Sequence, residues 1–165
     1  MTGTTQADLA VQAYRRYIKA APEAIWDALT RPGCAQQYGY QSPVWYDLRP
    51  GGTYRAFASH AMKARGGQGV VIEGEVVEAE PPRRLVQTWH ALFDAETAAE
   101  AVTRLTWEIE DGEDGVAAVT LTHEFLGVPR AAALVADAVS EGRGGWSWIL
   151  SDLKTRLETG QPLAA

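Results

Sequence analysis

The spacing of apolar and polar positions changes several times along the chain, and each change marks an element. Residues 14–18, Tyr-Arg-Arg-Tyr-Ile, read as a first strand. Pro22 then stands where the first turn of a helix tolerates proline. Ile25, Trp26 and Leu29 fall at helical spacing and predict a short helix over residues 22–29. Thr30, Pro32 and Gly33 break it, and a second short helix is expected at roughly 33–38. From residue 44 the period becomes two. Val44–Leu48 predicts a strand, Arg49-Pro50-Gly51-Gly52 a turn, and Thr53–Ala58 the next strand, with Tyr54, Ala56, Ala58 and His60 on one face. Gly66, Gly67 and Gly69 mark another turn. Val70–Ala79 predicts a long strand stopped by Pro81-Pro82, and Leu85–His90 pairs back on it as a hairpin.

Residues 91–103 are rich in Ala, Glu and Thr, a pattern that a helical turn and a mobile loop meet equally well. Leu105, Trp107 and Ile109 alternate with Thr106, Glu108 and Glu110, as in a half-buried strand. After a turn at Asp111–Gly115, Val119, Leu121, His123 and Phe125 share one face of a further strand. Ala131–Glu141 is helix-prone. Gly142, Gly144 and Gly145 each cost about 1 kcal/mol against alanine in a helix, so a break is expected there. Trp146, Ile149, Leu150, Leu153 and Leu157 form the apolar stripe of a last helix over 145–159, ended by Gly160 and Pro162. Consecutive strands joined by short turns favour an antiparallel sheet. Its apolar face needs a cover, and the last helix carries the matching stripe. The expectation is an α+β domain over residues 13–160, preceded by a flexible tail over 1–12. Six or seven antiparallel strands curve around the C-terminal helix, with two short helices after the first strand.

Composition narrows the function classes. A length of 165 residues with 46% hydrophobic residues suits one domain with a sizeable core. The net charge of −6 has the wrong sign for neutralising phosphates, so no nucleic-acid partner is expected. The pairs Arg15-Arg16 and Arg83-Arg84 read as solvated sheet edges. Met1–Gln12 lacks the basic start and apolar run of a signal peptide. No stretch approaches the ~20 apolar residues of a membrane span. The one cysteine, Cys34, allows no internal disulfide and fits a cytoplasmic, reducing compartment. With no histidine near it in sequence, it reads as a plain thiol.

Taken in order, several segments carry a resemblance. They are Ala21-Pro22-Glu23-Ala24-Ile25-Trp26-Asp27-Ala28-Leu29-Thr30, Asp47-Leu48-Arg49-Pro50-Gly51-Gly52-Thr53-Tyr54, and Gly74 through Leu85. Thr88-Trp89 follows, and the series ends at Gly145-Trp146-Ser147-Trp148-Ile149-Leu150 through Leu157-Glu158. Over about residues 14–160 the chain resembles the SRPBCC superfamily, the helix-grip fold of START and birch-pollen-allergen-like proteins. Within it, the chain is most similar to the activator of heat-shock-protein-90 ATPase homologue family. The resemblance implies a cavity between the inner sheet face and the last helix. Similar domains bind lipids, carry or cyclise polyketide intermediates, or sequester toxic natural products, so fold alone does not choose among them. It permits a homodimer. A chaperone contact is not expected, since no separate chaperone-binding domain is legible.

No standard catalytic signature is present, and no cofactor motif. His60, His90 and His123 are too scattered to predict a metal site. His123 shares its face with apolar residues. Turned inward, its imidazole is either a proton shuttle and ligand partner or a structural histidine bonded to backbone or water. The six tryptophans and six tyrosines offer flat apolar area with a polar tip, which suits a planar ligand. The candidate binding set is Tyr38, Trp45, Tyr54, His60, Gln87, Trp89, Trp107, His123 and Trp146. These rings either line a void or fill the core. Gln87, on the face of Leu85 and Trp89, needs a partner if buried. The leading expectation is binding of a small hydrophobic, aromatic or polycyclic molecule. The alternatives are a cyclase or hydrolase with His123 as acid and base, and a chaperone-associated or regulatory interaction module.

Overall fold

Alternation of inward and outward side chains runs through seven strands: β1 (Val11–Ile18), β2 (Val44–Tyr46), β3 (Thr53–Phe57), β4 (Val70–Glu80), β5 (Arg84–Ala91), β6 (Thr103–Glu110) and β7 (Ala117–Glu124). The structure, a computed structural model, describes residues 11–125, 127–135 and 145–163, the side chain of Leu134 excepted. The strands form one sheet in the order β1-β7-β6-β5-β4-β3-β2, with every neighbouring pair antiparallel. β2 to β7 are therefore a simple meander, and β1 closes the far edge beside β7. Moving from β1 to β2 crosses six inter-strand spacings, about 29 Å at roughly 4.8 Å each. Residues 19–43 make that crossing with helices α1 (Pro22–Thr30) and α2 (Pro32–Ala35).

Two register shifts bend the sheet, between Ala56 and Phe57 and between Val76 and Glu78. A bulge adds a residue to one strand and increases its local twist. The concave face reads across the sheet as one row: Val76 opposite Gln87, Gln87 opposite Leu105, Leu105 opposite His123, and His123 opposite Gln12. The last helix, α6 (Gly145–Thr159), buries Trp146, Ile149, Leu150 and Leu153. That is one stripe at i, i+3, i+4 and i+7. It packs on β1 and α1 and against α5 (Pro129–Val135). Polar bonds fix its ends: Arg16 donates to Ser147 Oγ at 2.7 Å, and Lys154 Nζ to the Tyr17 carbonyl at 2.8 Å.

The expected architecture is present, with seven strands. β1 starts three residues before the predicted 14–18. Arg16 is half-buried against α6, and Arg84 bridges Glu78 and Glu108. The second short helix covers only Pro32–Ala35. β3 ends at Phe57, so His60 does not continue its inner face. Ser59 Oγ accepts the Met62 N–H and caps a helix over His60–Ala64, α3, which leaves His60 exposed. Between the two readings of residues 91–103, a helical turn holds at Ala95–Ala98, α4, capped by Asp94, and Thr103 already belongs to β6. The expected break at Gly142 and Gly144 lies outside the described residues. Among the described residues no helix is long and apolar enough to cross a membrane, and no three His, Cys, Asp or Glu side chains come together as metal ligands.

Candidate functional site

Between the concave sheet face and α6 the packing leaves a cavity of about 250 Å³. Its base is a cluster of three indoles, Trp89 on β5, Trp107 on β6 and Trp146 on α6. Trp107 and Trp146 meet edge to face, with ring centroids 5.9 Å apart, and Trp89 and Trp146 lie 6.4 Å apart. Offset and T-shaped contacts of this kind hold the rings rigid. Leu105, Ile72 and Ile149 complete the apolar wall. Tyr40, Gln41 and Phe93 belong to the lining and are exposed, so the cavity reaches the surface.

The opposite wall is built of tyrosines. Tyr46 and Tyr54 stand directly across β2 and β3, and their rings stack at 4.6 Å. The Arg49-Pro50-Gly51-Gly52 turn sets that register. A Cβ on Gly52 would sit 2.0 Å from the Asp47 carbonyl oxygen, so only glycine closes it. The Tyr46 hydroxyl donates to Gln87 Oε1 at 2.6 Å. Burial pushes the phenols of Tyr38, Tyr46 and Tyr54 well above the ordinary tyrosine range, and the proximity of Tyr54 adds to this for Tyr38 and Tyr46. The wall is therefore neutral as well as apolar. No charged side chain lines the cavity among the described residues.

The loop over residues 38–42 carries Tyr38 and Tyr40 into this wall, and α6 clasps it. Asp152 Oδ2 accepts the Gly39 N–H at 2.9 Å and Oδ1 accepts the Leu163 N–H at 3.0 Å. Tyr40 Oη accepts the Gly145 N–H at 3.0 Å. Gly39 has φ of +62°, and a Cβ there would come within 3.3 Å of Ile149. Asp152→Ala is expected to lower unfolding free energy by about 1.5 kcal/mol, since two amides lose a charged acceptor. Urea denaturation measures it, and an unchanged midpoint would mean that the clasp contributes nothing.

His123 is fully buried, with 0% exposure, beneath the indoles and outside the cavity lining. An indole N–H can only donate, so His123 Nδ1 accepts it from Trp146 Nε1 at 3.0 Å. The ring's one proton then sits on Nε2 and is donated to Thr103 Oγ1 at 2.7 Å. Thr103 in turn donates to the Trp89 carbonyl at 2.7 Å. Burial lowers the His123 pKa from 6.5 to about 3. Both ring nitrogens are engaged, and the chain of bonds aims Trp146 at Trp107.

Of the candidate binding residues, Tyr38, Tyr54, Trp89, Trp107 and Trp146 line the cavity. Gln87 is buried behind Tyr46 and touches the site through it. Trp45 points to the other face and is 56% exposed. His60 lies in a separate surface depression with Gln36, Gln41 and Lys63. Tyr40, which like Tyr38 follows the short helices, joins the lining, and so do Tyr46, Met62 and Phe93, which are not expected from sequence. β2 is three residues long, too short for alternation to decide between Trp45 and Tyr46. Pairing Tyr46 with Tyr54 across the turn supplies the missing parity. Met62 follows from the Ser59 cap, a signal present in the sequence.

Known structures share this architecture at low identity. The Aha1 dimer from Colwellia psychrerythraea aligns with a TM-score of 0.65 at 20% identity, over 92% of this chain and 98% of that one. An HSP90 activator from Plasmodium falciparum aligns at 0.54 and 19%, over 93% of this chain and 91% of that one. CalU16 from Micromonospora echinospora aligns at 0.50 and 20% over 70% of this chain, which spans only 60% of CalU16. No curated protein is a significant match to the chain. The likenesses to solved structures carry the fold alone. The sequence model of the family described as Activator of Hsp90 ATPase homolog 1-like protein matches residues 19–158, from the end of β1 to the last turn of α6, and the chain belongs to that family.

Proposed function

We propose that this protein binds one small, uncharged aromatic molecule in the cavity between the sheet and α6, in order to carry, sequester or sense it. The observation that carries the reading is a cavity of about 250 Å³ walled by indoles, phenols and aliphatic chains, with no ionised group in its lining among the described residues. An apolar cavity of about 150 Å³ accepts benzene, so the space here suits a molecule of about two fused rings. Trp89 and Trp107 supply indole surface to its lining, and Tyr38 and Tyr54 phenol surface. The single thiol, Cys34, supports work in the cytoplasm, where thiols stay reduced.

The enzymatic alternative assigned acid–base work to His123. That group has no open nitrogen and no surface in the cavity, and burial holds it neutral. Its role in this reading is to position Trp146.

Titration with naphthalene, followed by tryptophan emission and ligand-observed NMR, tests the proposal. Saturable quenching is expected with a dissociation constant on the order of 10 μM, a normal yield for a ligand of this size. No saturable change up to the solubility limit of naphthalene or biphenyl would remove the reading.

A further inference from the structure

The loop over residues 38–42 borders two hollows. Beside the cavity of about 250 Å³ lies a surface depression of about 310 Å³, lined by Gln36, Gln41, Pro43, Ala58, His60 and Lys63. The two spaces share a wall. Gln41 belongs to both linings, and its neighbours divide between them: Ser42 and Met62 line the cavity, Pro43, His60 and Lys63 the depression. Backbone donors hold that wall in place. The Phe57 N–H donates to the Pro43 carbonyl at 2.9 Å, and the Ser59 N–H to Met62 Sδ at 3.5 Å. Gln41 itself is exposed at the mouth and holds φ of +60°, a conformation uncommon for a residue with a side chain. Backbone strain of this kind gathers where a ligand is met. The depression is polar where the cavity is apolar. Ala58 is buried and Pro43 half-buried, whereas Gln36, Gln41, His60 and Lys63 are exposed, which gives an apolar floor and a polar rim. No carboxylate lines it, and the side chains of His60 and Lys63 have no partner among the described residues.

We propose that the aromatic frame of the ligand fills the cavity while an uncharged, hydroxyl-rich arm of the sugar type leaves through the mouth at Gln41 and lies in this depression. This rests on the cavity-binding reading and names its substrate class. Each amide of the rim both donates and accepts, and the Lys63 ammonium only donates. A hydroxyl also does both, so a polyol meets amide and ammonium alike. A carboxylate or a sulfate only accepts and leaves the amide oxygens to water. Its pairing with Lys63 would contribute little, because ion pairs in solvent are weak. The net charge of −6 also repels an anion on approach. A pyranose ring has the same division as the depression, with C–H faces for Pro43 and Ala58 and hydroxyl edges for the rim.

Calorimetric titration of the full chain at neutral pH with 2-naphthyl β-D-glucopyranoside, 2-methoxynaphthalene and 2-naphthyl sulfate tests this. The glucoside is expected to bind about fivefold more tightly than the methoxy compound, the yield of one net hydrogen bond. The sulfate is expected to bind no more tightly than the methoxy compound. Gln36→Ala combined with Lys63→Ala, at exposed positions outside the cavity lining, should bring the glucoside to the level of 2-methoxynaphthalene and leave the latter unchanged. A glucoside that binds the wild type no more tightly than 2-methoxynaphthalene, or that binds wild type and double variant equally, would overturn the sugar arm while leaving the cavity reading standing. Tighter binding of the sulfate than of the glucoside would overturn it too. Failure of all three to bind would remove both readings. If the double variant loses its circular dichroism signature, Gln36→Ala alone and the wild-type ranking decide the matter in its place.

Discussion

Trp146→Ala is expected to lower the free energy of unfolding by about 4 kcal/mol, the usual cost of deleting a buried aromatic ring. Trp146 is buried at the junction of α6 with β5, β6 and β7, in contact with Trp89, Trp107 and His123. Its loss removes those ring contacts and leaves His123 Nδ1 with no donor. It also enlarges the cavity, which the surrounding strands cannot close because their register is fixed by pairing on both sides. Trp146→Phe separates the two parts. It keeps a ring and deletes the N–H, so about 1–2 kcal/mol is expected for the orphaned imidazole nitrogen. Urea unfolding with the same slope for both variants gives the comparison. Equal losses for phenylalanine and alanine would show that the hydrogen bond dominates and the ring packing does not.

The second large effect is a loss of stability in mild acid that comes from one residue. His123 has a folded pKa near 3 against 6.5 when exposed, because burial penalises its charged form. Between these values the unfolded chain binds a proton that the folded one does not, so stability rises with pH. Above about pH 6.5 the histidine contributes no penalty. At about pH 5 the penalty is about 2 kcal/mol, and at about pH 4 it is about 3 kcal/mol. His123→Gln keeps an acceptor for the Trp146 N–H and has no titrating group. The difference in stability between wild type and His123→Gln is therefore expected to tilt by about 2 kcal/mol from about pH 7 to pH 5. Above pH 5 most carboxylates have finished titrating and drop out of the difference. NMR offers the direct check: the His123 ring shifts should stay constant over that range in the folded protein. A midpoint near 6.5 for this ring would refute the account.

Much of the architecture is legible without coordinates, because it follows from local period and from residues with one conformational use. Leu105, Trp107 and Ile109 alternate, as do Val119, Leu121, His123 and Phe125, and a strand with one buried face can satisfy that pattern in one register only. Trp146, Ile149, Leu150 and Leu153 fall on one side of a helix for the same kind of reason. Arg49-Pro50-Gly51-Gly52 closes a turn that no residue with a side chain at position 52 would allow. Hence the antiparallel sheet, the covering helix and the inward direction of Trp89, Trp107 and His123 can all be read from the chain.

The distinction between lining a void and lying beneath it belongs to the tertiary structure. His123 and Trp107 look alike in sequence, each inward on its strand, yet one is capped by the Trp146 indole and the other faces open space. That outcome depends on where α6 comes to rest, which is set by contacts far apart in the chain: Arg16 to Ser147, Asp152 to Gly39, Lys154 to Tyr17. Likewise the choice of Tyr46 over Trp45 rests on a three-residue strand whose parity comes from its partner across the turn. Amino-acid order by itself determined the layers and their facing sides, since periodicity is a local property. Only packing of distant segments decided the cavity, its neutral phenol wall and the buried state of His123, since a void is defined by what fails to meet across it.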